Sequence, residues 1–173
     1  MMFAHRDKDQ AKLELISAES KADIDKWIAK YPADKKESAV MAALRIVQDQ
    51  NGGYLTDPLI EAVAEYLDMP AIAVYEVATF YSMYEREPVG KVKICVCTNI
   101  SCMLCGSDDV VEHLENKLGI KMGETTGDGM FTLKEVECLG ACVNAPVMQI
   151  GNKYYEKLSK EKIDKLIESL DKL

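Results

Sequence analysis

The hydrophobic pattern of this chain changes period once, and that change limits the possible folds more than any other feature. Up to Glu85, apolar residues recur at helical intervals; beyond Glu85-Arg86-Glu87-Pro88-Val89-Gly90 they begin to alternate. The joint divides the 173 residues into parts 1–88 and 89–173. With 48% hydrophobic residues there is enough apolar side chain for a buried core rather than a disordered tail. The expected organisation is α+β: an N-terminal helical bundle followed by a small α/β domain.

Five short helices are expected before the joint. Lys8–Ala18 and Lys21–Lys30 carry apolar residues at helical spacing, and Pro32 stops the second. Glu37–Asp49 lines Val40, Leu44 and Val47 on one face and ends before Asn51-Gly52-Gly53. Asp57-Pro58 predicts a helix start with Asp57 as the cap, carrying Leu59, Val63 and Leu67. Pro70 opens a fifth helix with Val74, Val77 and an aromatic stripe through Phe80, Tyr81 and Tyr84. Such a stripe usually belongs to the core; here it is also the best candidate for a docking surface.

After the joint, Lys91–Thr98 sets Val92, Ile94 and Val96 against Lys93, Cys95 and Cys97, the pattern of a half-buried strand. A helix over Ser107–Leu118 follows, with Val110, Val111, Leu114 and Leu118 inward and Gly119 at its end. Met130–Val136 reads as a second strand, and Gly151-Asn152 joins Val147–Ile150 to Tyr154-Tyr155 in a hairpin. Ser159 caps a last helix buried along Ile163, Leu166, Ile167 and Leu170. The opening strand–helix unit and the closing hairpin plus helix resemble thioredoxin.

A net charge of −8 argues against a nucleic-acid partner, which needs clustered Lys and Arg against phosphate. No apolar run approaches the roughly 18–20 residues of a membrane span, so direct membrane insertion is not expected. Met1-Met-Phe-Ala-His-Arg-Asp lacks both a signal-peptide core and the traits of a transit peptide, which makes a bacterial cytoplasm the expected location. In such a reducing compartment six cysteines point to metal or redox chemistry rather than a disulfide framework.

Four of the six form two tight pairs, Cys97/Cys102 and Cys138/Cys142, with 35 residues between the pairs. Each pair follows a strand, so two loops can close on one metal site, and four thiolates are what an iron–sulfur cluster or a structural zinc takes. Gly140 tolerates positive φ and lets the backbone aim N–H groups at sulfur. Pro146 can wall the site. No carboxylate or lysine lies within either ligand loop, which suits electron transfer better than acid–base chemistry. Competing readings are a 4Fe–4S cluster, a zinc site using the Cys102–Cys105 knuckle with Cys138 and Cys142, and a thioredoxin-like disulfide at Cys102–Cys105. His5 and His113 read as surface residues, and Gly123, Gly127 and Gly129 make no dinucleotide fingerprint.

The stretches Ala42–Tyr54, Val74–Tyr84, Val96–Leu104 and Val136–Cys142 closely resemble the 24-kDa subunit family of respiratory complex I, the E-type subunit of bacterial NADH:quinone oxidoreductase. The resemblance covers nearly the whole chain past its first ten residues. It implies a thioredoxin-like 2Fe–2S ferredoxin domain behind a helical partner-docking domain, with Cys97, Cys102, Cys138 and Cys142 as ligands and no independent catalytic site. It further implies that FMN and NADH belong to a partner flavin subunit of complex I, that this chain exchanges one electron with that FMN, and that neighbouring peripheral-arm subunits are partners too. The complex would sit peripheral to the inner membrane. The equivalent diaphorase subunit of an NAD(P)-linked hydrogenase or formate dehydrogenase is the nearest alternative function. A zinc-stabilised interaction protein is the alternative from another class. Cys95 and Cys105 are not ligands in the family and mark departures from its pattern.

Overall fold

Helix caps decide where the first half of the chain breaks into elements. The computed structural model describes residues 12–170. Ser17 accepts the backbone N–H of Ser20 at 3.1 Å and starts α1, Ala18–Ile28. The expected helix over 8–18 therefore does not run through: the chain turns at 14–16, and residues 8–11 lie outside the described part. A 3-10 turn, Lys36–Ala39, leads into α2, Val40–Gln50, where one helix from Glu37 was expected. The next helix, α3, spans Asp57–Leu67 with Thr56 rather than Asp57 at the cap position. The Asp57 carboxylate instead accepts from Arg86 at 2.8 Å, while its place in the first turn still favours the helix dipole.

Helix α4, Ala71–Phe80, buries Val74 and Ala78 against Leu44, Val47, Ile60 and Val63. The aromatic stripe does not continue into that core. The helix ends at Phe80, which is 81% exposed, and Tyr81 and Met83 also face outward. Tyr84 alone turns in and donates its hydroxyl to the Met41 carbonyl at 2.8 Å. Burial raises the Tyr84 pKa to about 12, so the hydroxyl stays a donor. Buried Gln48 explains the outward turn: its side chain donates to the Met83 carbonyl at 3.2 Å and accepts from the Glu85 N–H at 2.8 Å. That clamp fixes the segment by its backbone and leaves the side chains of Tyr81 and Met83 outside.

The described residues form two compact units, one ending at Pro88 and one starting at Val89. The second consists of β1 (Val92–Cys97), α5 (Ile100–Leu104), α6 (Ser107–Leu118), β2 (Phe131–Val136), β3 (Val147–Ile150), β4 (Lys153–Glu156) and α7 (Lys160–Leu170). The sheet order is β2-β1-β3-β4, with β1 and β2 parallel and the other neighbours antiparallel. The parallel register runs from Val92 opposite Phe131 to Cys97 opposite Val136. Val92, Ile94, Val96, Phe131 and Leu133 meet Val110 and Leu114 of α6 and Ile163 and Ile167 of α7 in one core. Ser159 caps α7 as expected, its hydroxyl accepting from the Lys162 N–H at 3.4 Å.

Two sequence readings change here. Alternation placed Cys97 outward with Cys95, yet Cys97 is buried, because Val147 and the loop after β2 cover the strand's end. The loop holding Cys102 contains a short helix, α5, too brief for its period to be read. The edge of β2 is shielded by the chain before it: Gly123 N–H donates to Leu133 O at 2.7 Å, and Leu133 N–H to Glu124 O at 3.0 Å.

Gly90 enters this unit under a tight constraint. Its N–H donates to Thr132 Oγ1 at 2.6 Å, and a Cβ there would lie 2.9 Å from Met130 O and Phe131 C. Both are backbone atoms of a paired strand and cannot swing away. Gly90→Ala is expected to cost about 1–3 kcal/mol, as other overpacked sites do. A denaturation midpoint for the β1–β2 region equal to that of the parent chain would refute the constraint.

Candidate metal centre

Parallel pairing of β1 and β2 delivers their two following loops to the same end of the sheet, and the cysteine pairs lie in those loops. Thr98 N–H donates to Val136 O at 3.3 Å, extending the pairing just past Cys97. Asn99 then caps α5, its side-chain oxygen accepting from the Ile100 N–H at 2.9 Å. The short helix turns Cys102 inward and leaves Cys105, at its C-cap, exposed. Just past the end of β2, Glu137 joins the two loops: its carbonyl accepts from Cys97 Sγ at 3.2 Å and its carboxylate from Asn99 Nδ2 at 3.3 Å.

After Cys138 the chain turns through Gly140 at φ +74°, and the Gly140 N–H donates to Cys138 Sγ at 3.4 Å. No protein atom lies within 4 Å of where a Gly140 Cβ would sit, so the position calls for glycine by its backbone angle, not by crowding. Cys142 opens a 3-10 turn, Cys142–Asn144, ahead of a cis Ala145–Pro146 bond. Asn144 anchors this loop to the hairpin, donating from Nδ2 to Glu156 at 2.9 Å and accepting from the Lys157 N–H at 2.8 Å.

The pairs differ in surroundings. Cys97 and Cys102 are each 2% exposed and pack with Val147 against Val136, Leu139, Ala141 and Ala145. Burial pushes the Cys102 thiol up to about 11, helped by its hydrogen bond with Cys97 and by the charges of Cys97 and Cys142, while a bond from the Val147 backbone pulls the other way. A metal bound by Cys102 must therefore displace its proton. Cys138 and Cys142 are exposed, with their sulfurs 3.8 Å apart.

That separation is informative. Two thiolates bonded at about 2.3 Å to one tetrahedral metal stand about 3.8 Å from each other. The outer pair is thus already spaced as two ligands of a single metal. Among the described residues no three His, Cys, Asp or Glu side chains gather as the ligands of one ion. Four thiols arranged two by two are the donor set of a binuclear cluster with two thiolates on each iron. The donor set and its apolar wall fit a 2Fe–2S group.

Cys95 sits in mid-strand, opposite Lys134 and Gln149, two residues short of the loops. His5 lies outside the described residues. His113 is not a plain surface residue: it is half-buried, with Nε2 2.9 Å from Asp164, which also pairs with Lys117 across α6 and α7. Sequence reasoning passed over Asn99 and Glu137. An Asn just ahead of a short helix is a capping signal, but nothing in the sequence announces the reach of Glu137 back to it.

A family model described as thioredoxin-like [2Fe-2S] ferredoxin matches residues 24–171. The E-type subunit of NADH-quinone oxidoreductase from Rickettsia felis is 57% identical over 141 residues, 82% of this chain and 84% of that one. An E-type subunit of the same oxidoreductase from Rhizobium meliloti, the one numbered 2, is 48% identical over 147 residues, 85% of this chain and 86% of that one. Among solved structures, an NAD+-reducing [NiFe]-hydrogenase in the air-oxidized state superposes with a TM-score of 0.64 at 22% identity, covering 76% of this chain and 22% of that one. That last likeness is one of fold. On the matched family and these close relatives, the chain belongs to the thioredoxin-like [2Fe-2S] ferredoxins, among the E-type subunits of NADH-quinone oxidoreductase.

Proposed function

We propose that this chain is the 2Fe–2S electron-transfer subunit of an NADH:quinone oxidoreductase, with Cys97, Cys102, Cys138 and Cys142 as the cluster ligands. The observation that carries the reading is the outer thiol pair, 3.8 Å apart beside a buried inner pair at the ends of two parallel strands. When bound, the cluster supplies a centre that takes up and gives back one electron. The chain's own part is to hold four thiolates, exclude water on the inner side with Val136, Leu139 and Val147, and leave the Cys138/Cys142 side open. Ile100, Met103, Leu104 and Val143 are exposed apolar side chains on the segments that carry Cys102 and Cys142, a fitting rim for a protein partner.

In this reading the partner flavin subunit holds FMN and NADH, and this chain exchanges one electron with that FMN. The N-terminal helices act as a bundle that docks partner subunits, which the outward Phe80, Tyr81 and Met83 support. No helix among the described residues is long and apolar enough to cross a membrane, and attachment at the inner membrane would come through the complex. Relatives at 48–57% identity are named for the E-type subunit of the quinone-reducing enzyme, which favours the respiratory complex over the hydrogenase diaphorase.

Co-purification with the flavin subunit and EPR after NADH addition test the whole proposal. A reduced 2Fe–2S signal is expected. A colourless chain with stoichiometric zinc would sink it. Cys95→Ser and Cys105→Ser should keep the full spectrum, since one lies in mid-strand and the other at an exposed cap. A lost signal in either variant overturns the ligand set.

A further inference from the structure

We propose that the outer cysteines form a disulfide, Cys138–Cys142, whenever the chain lacks its cluster, and that this bond must be reduced before a cluster can enter. The inference rests on the four-cysteine reading above and concerns the chain before a partner covers it. Three observations carry it. Both thiols are exposed, so a small oxidant reaches them. Their sulfurs are in van der Waals contact at 3.8 Å and approach within about 2 Å in a disulfide, a short closure for a loop that turns at Gly140, where no atom lies within 4 Å of the Cβ position. The inner pair is shut away: Cys97 and Cys102 are each 2% exposed, and Cys97 is hydrogen-bonded to the Glu137 carbonyl.

The reaction needs only a low-molecular-weight disulfide such as glutathione disulfide. One outer thiolate attacks it and releases one thiol, leaving a mixed disulfide on the protein. The second outer thiol displaces the remaining small thiol. Two protein thiols are oxidised, one external disulfide is reduced to two thiols, and the two protons leave with them. The product removes two of the four proposed ligands while sparing the buried pair, and any dithiol reverses it. Exposed thiolates capped this way do not climb to sulfinic or sulfonic acid.

The test uses the full chain. Iron and sulfide are first measured on the purified protein, which examines the cluster reading on its own. The cluster is then stripped with a chelator under reducing conditions, the reductant removed, and glutathione disulfide added. The buried Cys97 and Cys102 should stay titratable after denaturation, and peptide mapping should find Cys138 joined to Cys142, two hydrogens lighter than the reduced pair. Reloading with iron and sulfide should fail without a dithiol and succeed with one. Free thiols remaining at Cys138 and Cys142, a stable glutathione adduct on either of them, or a Cys102–Cys105 linkage would each overturn the proposal. Unhindered reloading of the oxidised chain would do the same. Cys142→Ser provides a second check: it should stop at the mixed disulfide on Cys138. If the starting protein holds no iron but the linkage still forms, the cluster reading fails and the disulfide stands.

Discussion

In the Cys102→Ala chain, the visible absorption and EPR signal of the 2Fe–2S centre are expected to disappear. Cys102 is one of two thiols held inside the apolar wall, and alanine puts no donor in its place. Cys105 follows three residues later but sits exposed at the end of α5, so the short helix would have to unwind to bring it in. Removing a residue that only supports a metal ligand typically costs about 10–100-fold in affinity, and losing the ligand itself should exceed that. Iron content and spectrum, measured beside the parent chain, decide the matter. A spectrum retained at full intensity would mean that another thiol serves, and the proposed ligand set would fall.

Ile94→Ala is expected to cost about 2–5 kcal/mol, a large share of the roughly 5–15 kcal/mol that holds a domain together. Ile94 is fully buried in the strand flanked on both sides, opposite Leu133 on β2 and Ile150 on β3. It belongs to the core shared with Leu114, Met148 and Ile163, elements that cannot collapse into the space without shifting a helix or the sheet. Amide hydrogen exchange across β1 and β2 reads this unit separately from the helical one. Tyr154→Ala, on the exposed hairpin, should change protection little. Equal effects of the two substitutions would contradict the packing described.

Several elements were legible in the sequence because their signals are local. Alternation put Val92, Ile94 and Val96 inward, and Ser107–Leu118 matches its helix end to end because glycines flank it. The misses share a physical cause. Five residues are too few to show a period, so α5 was hidden, and three of its apolar residues face out. Hydrophobicity records a preference to leave water without saying which molecule supplies the shelter, so Phe80 and Tyr81 read as core as readily as docking surface. The capping role given to Asp57 was lost to Arg86, a partner 29 residues away. Cysteine spacing showed four thiols able to converge. It could not show that one pair is buried and the other open, because that difference comes from Val147 and Leu139, which are remote from β1.

The parallel pairing of β1 and β2 also sets the order of events in making this protein. Zinc knuckles draw their ligands from neighbouring residues and can nucleate structure around the ion. Here the two halves of the site are separated by 35 residues and meet only when a strand has crossed over to its parallel neighbour. Closure of such a loop is slow compared with local turns, so a group held by both cysteine pairs would be seated only once β1 and β2 have paired. Register is equally strict. A slip of one residue between Cys97 and Val136 would displace Cys138 by about 3.3 Å along the strand and turn β2 over, leaving a well-bonded sheet with nowhere to seat its metal.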